Sequence, residues 1–103
     1  MALKKTYLKS SKICKVTFEF PFEAAIGAKK VALAGDFNNW DINSNILKKN
    51  YKKKVFSTTL MLEPGKKYEY KYYIDDTRWE NDWAADSYVQ SSVANTENSV
   101  VML

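Results

Sequence analysis

Apolar residues recurring at every second position are the strongest constraint on what this chain can fold into. Cys14, Val16, Phe18 and Phe20 alternate with Lys15, Thr17 and Glu19, and Tyr68, Tyr70, Tyr72 and Ile74 alternate with Glu69, Lys71 and Tyr73. Successive side chains of a strand point to opposite faces, so a period of two marks a half-buried strand. Further strands are expected over residues 29–34, over residues 55–62 with Phe56, Thr58, Leu60 and Leu62 on one face, and over residues 99–103. Short ones are expected at 46–48 and 78–80. Pro21 ends the first strand, and residues 23–28 form a connection too short for a helix. Glu63-Pro64-Gly65-Lys66 has Pro at the second and Gly at the third position of a type II turn, so a hairpin joining residues 55–62 to 68–74 is expected. Residues 81–98 are polar and weakly patterned, and read as loop. Strands at intervals of about 8–12 residues, with no amphipathic helix, define an all-β sandwich.

The chain of 103 residues is expected to form one domain, burying roughly 60–70% of the surface its unfolded form exposes. Residues 1–11 read as a polar, basic arm, and residues 12–103 as the sandwich. Met1-Ala2-Leu3-Lys4-Lys5 has no apolar segment after its basic residues, so no signal peptide is expected. No apolar run approaches the roughly 18 residues that span a bilayer, and no membrane partner is expected. The lone cysteine, Cys14, leaves no disulfide framework, which points to a reducing compartment and a cytoplasmic location.

The sequence contains no histidine. That removes the commonest general base and the commonest metal ligand. Zinc is excluded with it, calcium has no ordered carboxylate spacing, and no Gly-rich phosphate loop or other cofactor motif occurs. Hydrolysis of a glycosidic bond needs two carboxylates facing each other across the sugar. Asp36, Asp41, Asp75, Asp76, Glu80, Asp82 and Asp86 are candidates in type, yet they sit in turns where acids are expected. A catalytic role is not expected.

The net charge is +4, and residues 48–54 concentrate five lysines around Tyr51. A basic run with an interleaved aromatic suits nucleic acid. The same run also suits a solvated loop that guards a strand edge. Nucleic acid is therefore the less favoured partner.

Gly35-Asp36-Phe37-Asn38-Asn39-Trp40 follows the apolar run Val31-Ala32-Leu33-Ala34. Gly at a strand exit followed by Asp and two Asn marks a sharp turn with positive φ. Phe37 is placed to anchor the loop to the core, and Trp40 lies beyond the turn.

These residues resemble a known family. The run from Val31 to Trp40, the strand end Tyr70-Lys71-Tyr72-Tyr73-Ile74-Asp75, Trp79, and the closing Asn98-Ser99-Val100-Val101 follow the order found in glycogen-binding domains, carbohydrate-binding module family 48. That family includes the glycogen-binding domain of AMP-activated protein kinase β subunits and the early-set domain of isoamylases and branching enzymes. The resemblance runs from about residue 12 to the end and implies an immunoglobulin-like, early-set β-sandwich. It implies that Trp40 and Trp79 stack on glucose rings of an α-glucan such as glycogen, starch or maltodextrin. It also implies that Lys71 and Asn98 bind hydroxyls, with Thr96 in the same loop. A glycogen-metabolising enzyme or another protein partner is a second expectation, with the sandwich as a targeting module. Three stretches depart from the pattern. The turn Asp75-Asp76-Thr77-Arg78 lacks the usual glycine, Trp83 stands where proline is common, and Ala94-Asn95 replaces a larger apolar residue and a glycine. Trp83 is expected to pack the long loop against the sandwich, with extension of the aromatic platform as the less favoured alternative.

Overall fold

The computed structural model describes residues 1–9, 12–93 and 95–103. Its strands are β1 Ala2–Leu8, β2 Ile13–Pro21, β3 Val31–Gly35, β4 Lys48–Asn50, β5 Val55–Leu62, β6 Lys67–Ile74, β7 Arg78–Glu80, β8 Ser87–Gln90 and β9 Glu97–Met102. They build two antiparallel sheets, β1-β2-β5-β4 and β3-β6-β9-β8, with β7 also paired to β6. The fold is the immunoglobulin-like β-sandwich that the alternation and the resemblance imply.

The alternating residues of β2 and β6 meet in the middle. Cys14, Val16, Phe18 and Phe20 face Tyr70, Tyr72 and Ile74, all buried. Phe18 packs edge-on to Tyr70 at 5.2 Å between centroids, and Phe20 to Tyr72 at 4.9 Å. Each such side chain contributes roughly 1.5–3 kcal/mol through burial. A buried phenol needs a partner, and Tyr70 donates to Asp82 Oδ2 at 2.7 Å. Burial raises the Tyr70 pKa far above its ordinary value, so the phenol stays a neutral donor. All of β3 is buried, because the segment after the Trp40 loop runs back along it, with Leu33 N–H on Asn45 O and Leu47 N–H on Val31 O.

Residues 63–66 do not close a hairpin. β5 pairs with β2 and β4, whereas β6 pairs with β3, β7 and β9, so the chain crosses here from one sheet to the other. Gly65 does adopt φ +82, as the third residue of a type II turn requires. Turns of that type splay their flanking strands, which suits a crossing and opposes a hairpin. The turn bonds to the end of the chain instead: Gly65 N–H donates to Leu103 O and Leu103 N–H to Lys66 O, each at 2.9 Å.

The polar start of the chain is also different from its reading as an arm. Ala2–Leu8 forms edge strand β1, in register along β2 from Ala2↔Glu19 to Leu8↔Ile13. Lys5 obscures the pattern because it pairs opposite the core residue Val16 and sends its ammonium across the sandwich. Lys5 Nζ lies 2.6 Å from Asp86 Oδ2 and 3.0 Å from Met102 O. An inward-pointing charge is one way to protect a sheet edge. Ser10 and Ser11 of the expected arm lie outside the described residues.

Three smaller differences follow the same logic. Residues 81–98 contain strand β8, whose Tyr88, Val89 and Gln90 are exposed and therefore show no alternation. Strand β9 begins at Glu97, so Asn98 lies inside it. Residue 46 makes only an isolated bridge to Ala32, and continuous pairing starts at Lys48.

Candidate functional site

The loop after β3 is held by its own side chains. Gly35 is extended, at φ −174, so its need for glycine is spatial. A Cβ there would lie 2.5 Å from Glu69 O and 2.7 Å from Tyr70 Cβ. Asn38 Oδ1 accepts the Gly35 N–H at 3.0 Å, and its Nδ2 donates to Leu33 O and to Asn45 Oδ1. Phe37 anchors the loop as expected, 5.7 Å from the Phe18 ring and 6.0 Å from Tyr68. The positive φ expected of this turn falls on its second Asn, Asn39, at +57, and also on Trp40, at +58. Asn tolerates that region and Trp does not, so the Trp40 backbone stores strain of about 1–3 kcal/mol. It is held there by its N–H on Gly35 O at 2.9 Å and its indole Nε1–H on Asp36 Oδ1 at 3.1 Å. Asp36 Oδ2 accepts the Glu69 N–H at 2.8 Å, which ties the loop to β6.

Trp79 arrives from the neighbouring hairpin. Asp75 and Asp76, the central residues of the β6–β7 turn, both have positive φ, at 51 and 54. A tight hairpin turn of the primed kind requires this, and Asp supplies it here in place of glycine. The Lys30 and Lys29 amides donate to Asp75 Oδ1 at 2.8 Å each and lower its pKa below the ordinary carboxylate value. The register sets Trp79 opposite Tyr73, with ring centroids 4.5 Å apart, while Tyr73 OH donates to Asp76 O. Trp79 remains 45% exposed. Its ring lies 6.4 Å from that of Trp40, and the two planes meet at 66°.

Strands β7 and β9 share one edge of β6, β9 along Lys67–Tyr70 and β7 along Tyr72–Ile74. Lys71 falls at their junction. Its Nζ lies 3.1 Å from Thr96 Oγ1. Asn98 is only 8% exposed, and its Nδ2 donates to Glu69 Oε1 at 3.1 Å. Trp40, Lys71, Trp79, Thr96 and Asn98 all line one open cavity of about 280 Å³. All five residues singled out from the sequence therefore come together. Ser91 and the exposed Val93 complete the rim, and no carboxylate lines it among the described residues. Ala94 lies outside the described residues.

Several contributors were not visible beforehand. Asp36 and Glu69 orient the two flanks, and Tyr73 backs Trp79. Asp36 stood within the loop motif, and Glu69 and Tyr73 share the outward period of Lys71; those positions were the available signal. Trp83 does not pack the long loop inward. Its ring is largely exposed and lies off this cavity, with its backbone N–H at Met1 Sδ. Pairing with Lys5 and bonding to Tyr70 keep the flanking Asp86 and Asp82 in structural roles.

An immunoglobulin-like sandwich with paired indoles, a lysine and an amide around one open cavity has the make-up of a carbohydrate-binding module. Residues 16–102 match the family described as the glycogen recognition site of AMP-activated protein kinase, and the chain belongs to that family. No curated protein matches the chain.

Proposed function

We propose that this protein is a non-catalytic module that binds α-1,4-glucans (glycogen, starch or maltodextrin) in the cavity between Trp40 and Trp79. A glucopyranose has a face of C–H groups and a rim of hydroxyls. An indole covers the first, and ammonium and amide groups pair with the second. The observation that carries the reading is the 66° angle between the two indoles at 6.4 Å. An α-1,4 chain curves and offers successive rings at an angle, whereas a flat cellulose surface favours coplanar rings. Lys71 and Asn98 lie where they can meet the hydroxyl edge, and Glu69 and Thr96 hold them in place.

If each stacked ring removes on the order of 100 Å² of apolar surface from water, the gross gain is roughly 2–3 kcal/mol per indole. The loss of translational and rotational freedom offsets much of it, so a single site binds at about micromolar to millimolar strength. Electrophoresis through gels containing glycogen tests the proposal. The protein should be retarded and Trp40→Ala should run freely; unretarded migration of both removes the glucan reading.

A further inference from the structure

The basic run that the glucan cavity does not use lies on a different part of the molecule. The β4–β5 connection is tied to the 3-10 turn Phe22–Ala25 by the Phe22 N–H on Lys54 O at 2.9 Å. Between them is an open recess of about 460 Å³, walled by Pro21, Phe22, Ile26 and Val55 with Lys53 and Lys54 at its lip. It shares no wall residue with the cavity around Trp40 and Trp79. Ile26 stands in the open at 91% exposure, and Tyr51, at 72%, lines a second depression that shares Phe22 and Gly27 with this one. The Tyr51 ring rests edge-on against Phe22, with centroids 5.8 Å apart.

The charge around this recess is mostly positive. Among the described residues no carboxylate comes within ion-pair distance of Lys48, Lys49, Lys52 or Lys54, and Lys53 reaches only Glu19, at 3.8 Å. Glu19 is already shared with Lys4 at 3.4 Å. The only acid on the described wall is Glu23, and Asp75 faces Lys49 and Lys29 from the adjoining turn. Lys48, Lys52 and Lys54, with no carboxylate in reach among the described residues, stand around an apolar depression and match a chain that carries negative charge on both sides of a bulky apolar side chain.

We infer that the recess between residues 21–27 and 53–55 is a docking site for an acidic peptide segment of a partner protein, with an apolar side chain seated against Phe22, Ile26 and Val55. Single-stranded nucleic acid is less well matched, because it is held by several aromatic platforms along a basic groove. Here Tyr51 is the one largely exposed ring, and the depression beside it is walled by Pro21, Ile26, Val55 and the half-buried Phe22.

Fluorescence anisotropy with the labelled peptide Asp-Glu-Glu-Phe-Leu-Glu-Glu-Asp tests this. Binding should weaken at least about fivefold for Ile26→Ser, and similarly for the double change Lys53→Gln with Lys54→Gln. The same peptide with Ser-Gly in place of Phe-Leu should bind at least about fivefold more weakly to the unaltered protein. Ile26 is on the surface, so its variant should keep the parent's circular dichroism and melting temperature. Equal binding of the two peptides overturns the proposal, as does binding unchanged by both variants. Tighter, Lys53- and Lys54-dependent binding of a thymidine oligonucleotide, or of phosphatidylserine vesicles, overturns it in favour of those partners.

Discussion

The indole N–H of Trp40 donates to Asp36 Oδ1 at 3.1 Å, across a turn that holds Trp40 at φ +58. The second oxygen of the same carboxylate accepts the Glu69 N–H at 2.8 Å. Glu69 in turn holds the Asn98 amide through Oε1 at 3.1 Å. One acid thus links the loop that carries an indole to the strand whose side chain orients an amide. Asp36→Ala frees the indole and leaves the Glu69 N–H without its acceptor. It should lower stability by about 1–3 kcal/mol and reduce retardation by glycogen even where the variant is fully folded. Melting curves and affinity gels measure the two effects separately. Asp36→Ala that is destabilised yet retarded like the parent would show that the indole needs no such tether.

Gly35→Ala should be the most damaging small change in the loop. The new Cβ would meet backbone and Cβ atoms of β6, which cannot swing aside as a flexible side-chain tip can. Overpacking of this kind costs at least about 1–3 kcal/mol, so the melting temperature should fall by about 4 °C or more. A melt like the parent's contradicts the close approach of β3 to β6.

Tyr73 backs Trp79 with its ring tilted by 38° and the centroids 4.5 Å apart. Tyr73→Leu removes that support, which is worth about 0.5–1.5 kcal/mol in an aromatic pair. Tyr73→Phe keeps the ring and loses only the bond to Asp76 O. Glucan retention should fall for Tyr73→Leu and stay near the parent's for Tyr73→Phe. Equal loss in the two would assign the effect to the turn rather than to the ring.

Asp75 governs the acid response of the same hairpin. The Lys30 and Lys29 amides lower its carboxyl pKa in the folded protein. A lowered pKa adds stability that is fully present above the unfolded value, about 3.9, and is lost as pH falls through the folded value. Asp75→Asn keeps an oxygen acceptor and tolerates φ +51, but its stability lacks that pH dependence. The melting-temperature advantage of the parent over Asp75→Asn should therefore hold above about pH 4 and narrow below it. An advantage that does not change with pH contradicts the assignment.

Where one face of a strand is apolar, the sequence declared the strand: β2, β5 and β6 lie where the alternation put them. The loop from Gly35 to Trp40 and the five cavity residues were legible because their types are unusual in that order. Pairing was not legible. The Pro64-Gly65 turn reverses the chain equally well within a sheet or between sheets, and only the splay of its backbone separates the two. β1 and β8 were hidden because an edge strand can carry charge inward, as at Lys5, or leave its residues exposed, as at Tyr88 and Val89. Asp36 and Glu69 were hidden for another reason. Their roles are hydrogen bonds between segments far apart in sequence, and spacing carries no trace of those.

The most direct measurement uses the three tryptophans of the chain, each of which gives one indole N–H signal in a nitrogen-resolved proton spectrum. Maltoheptaose is titrated into the labelled protein, and Trp40→Phe, Trp79→Phe and Trp83→Phe assign the signals. The account predicts that the Trp40 and Trp79 signals move together and saturate along one curve, while that of Trp83 stays in place. Stationary Trp40 and Trp79 signals, or movement of Trp83 alone, would contradict it.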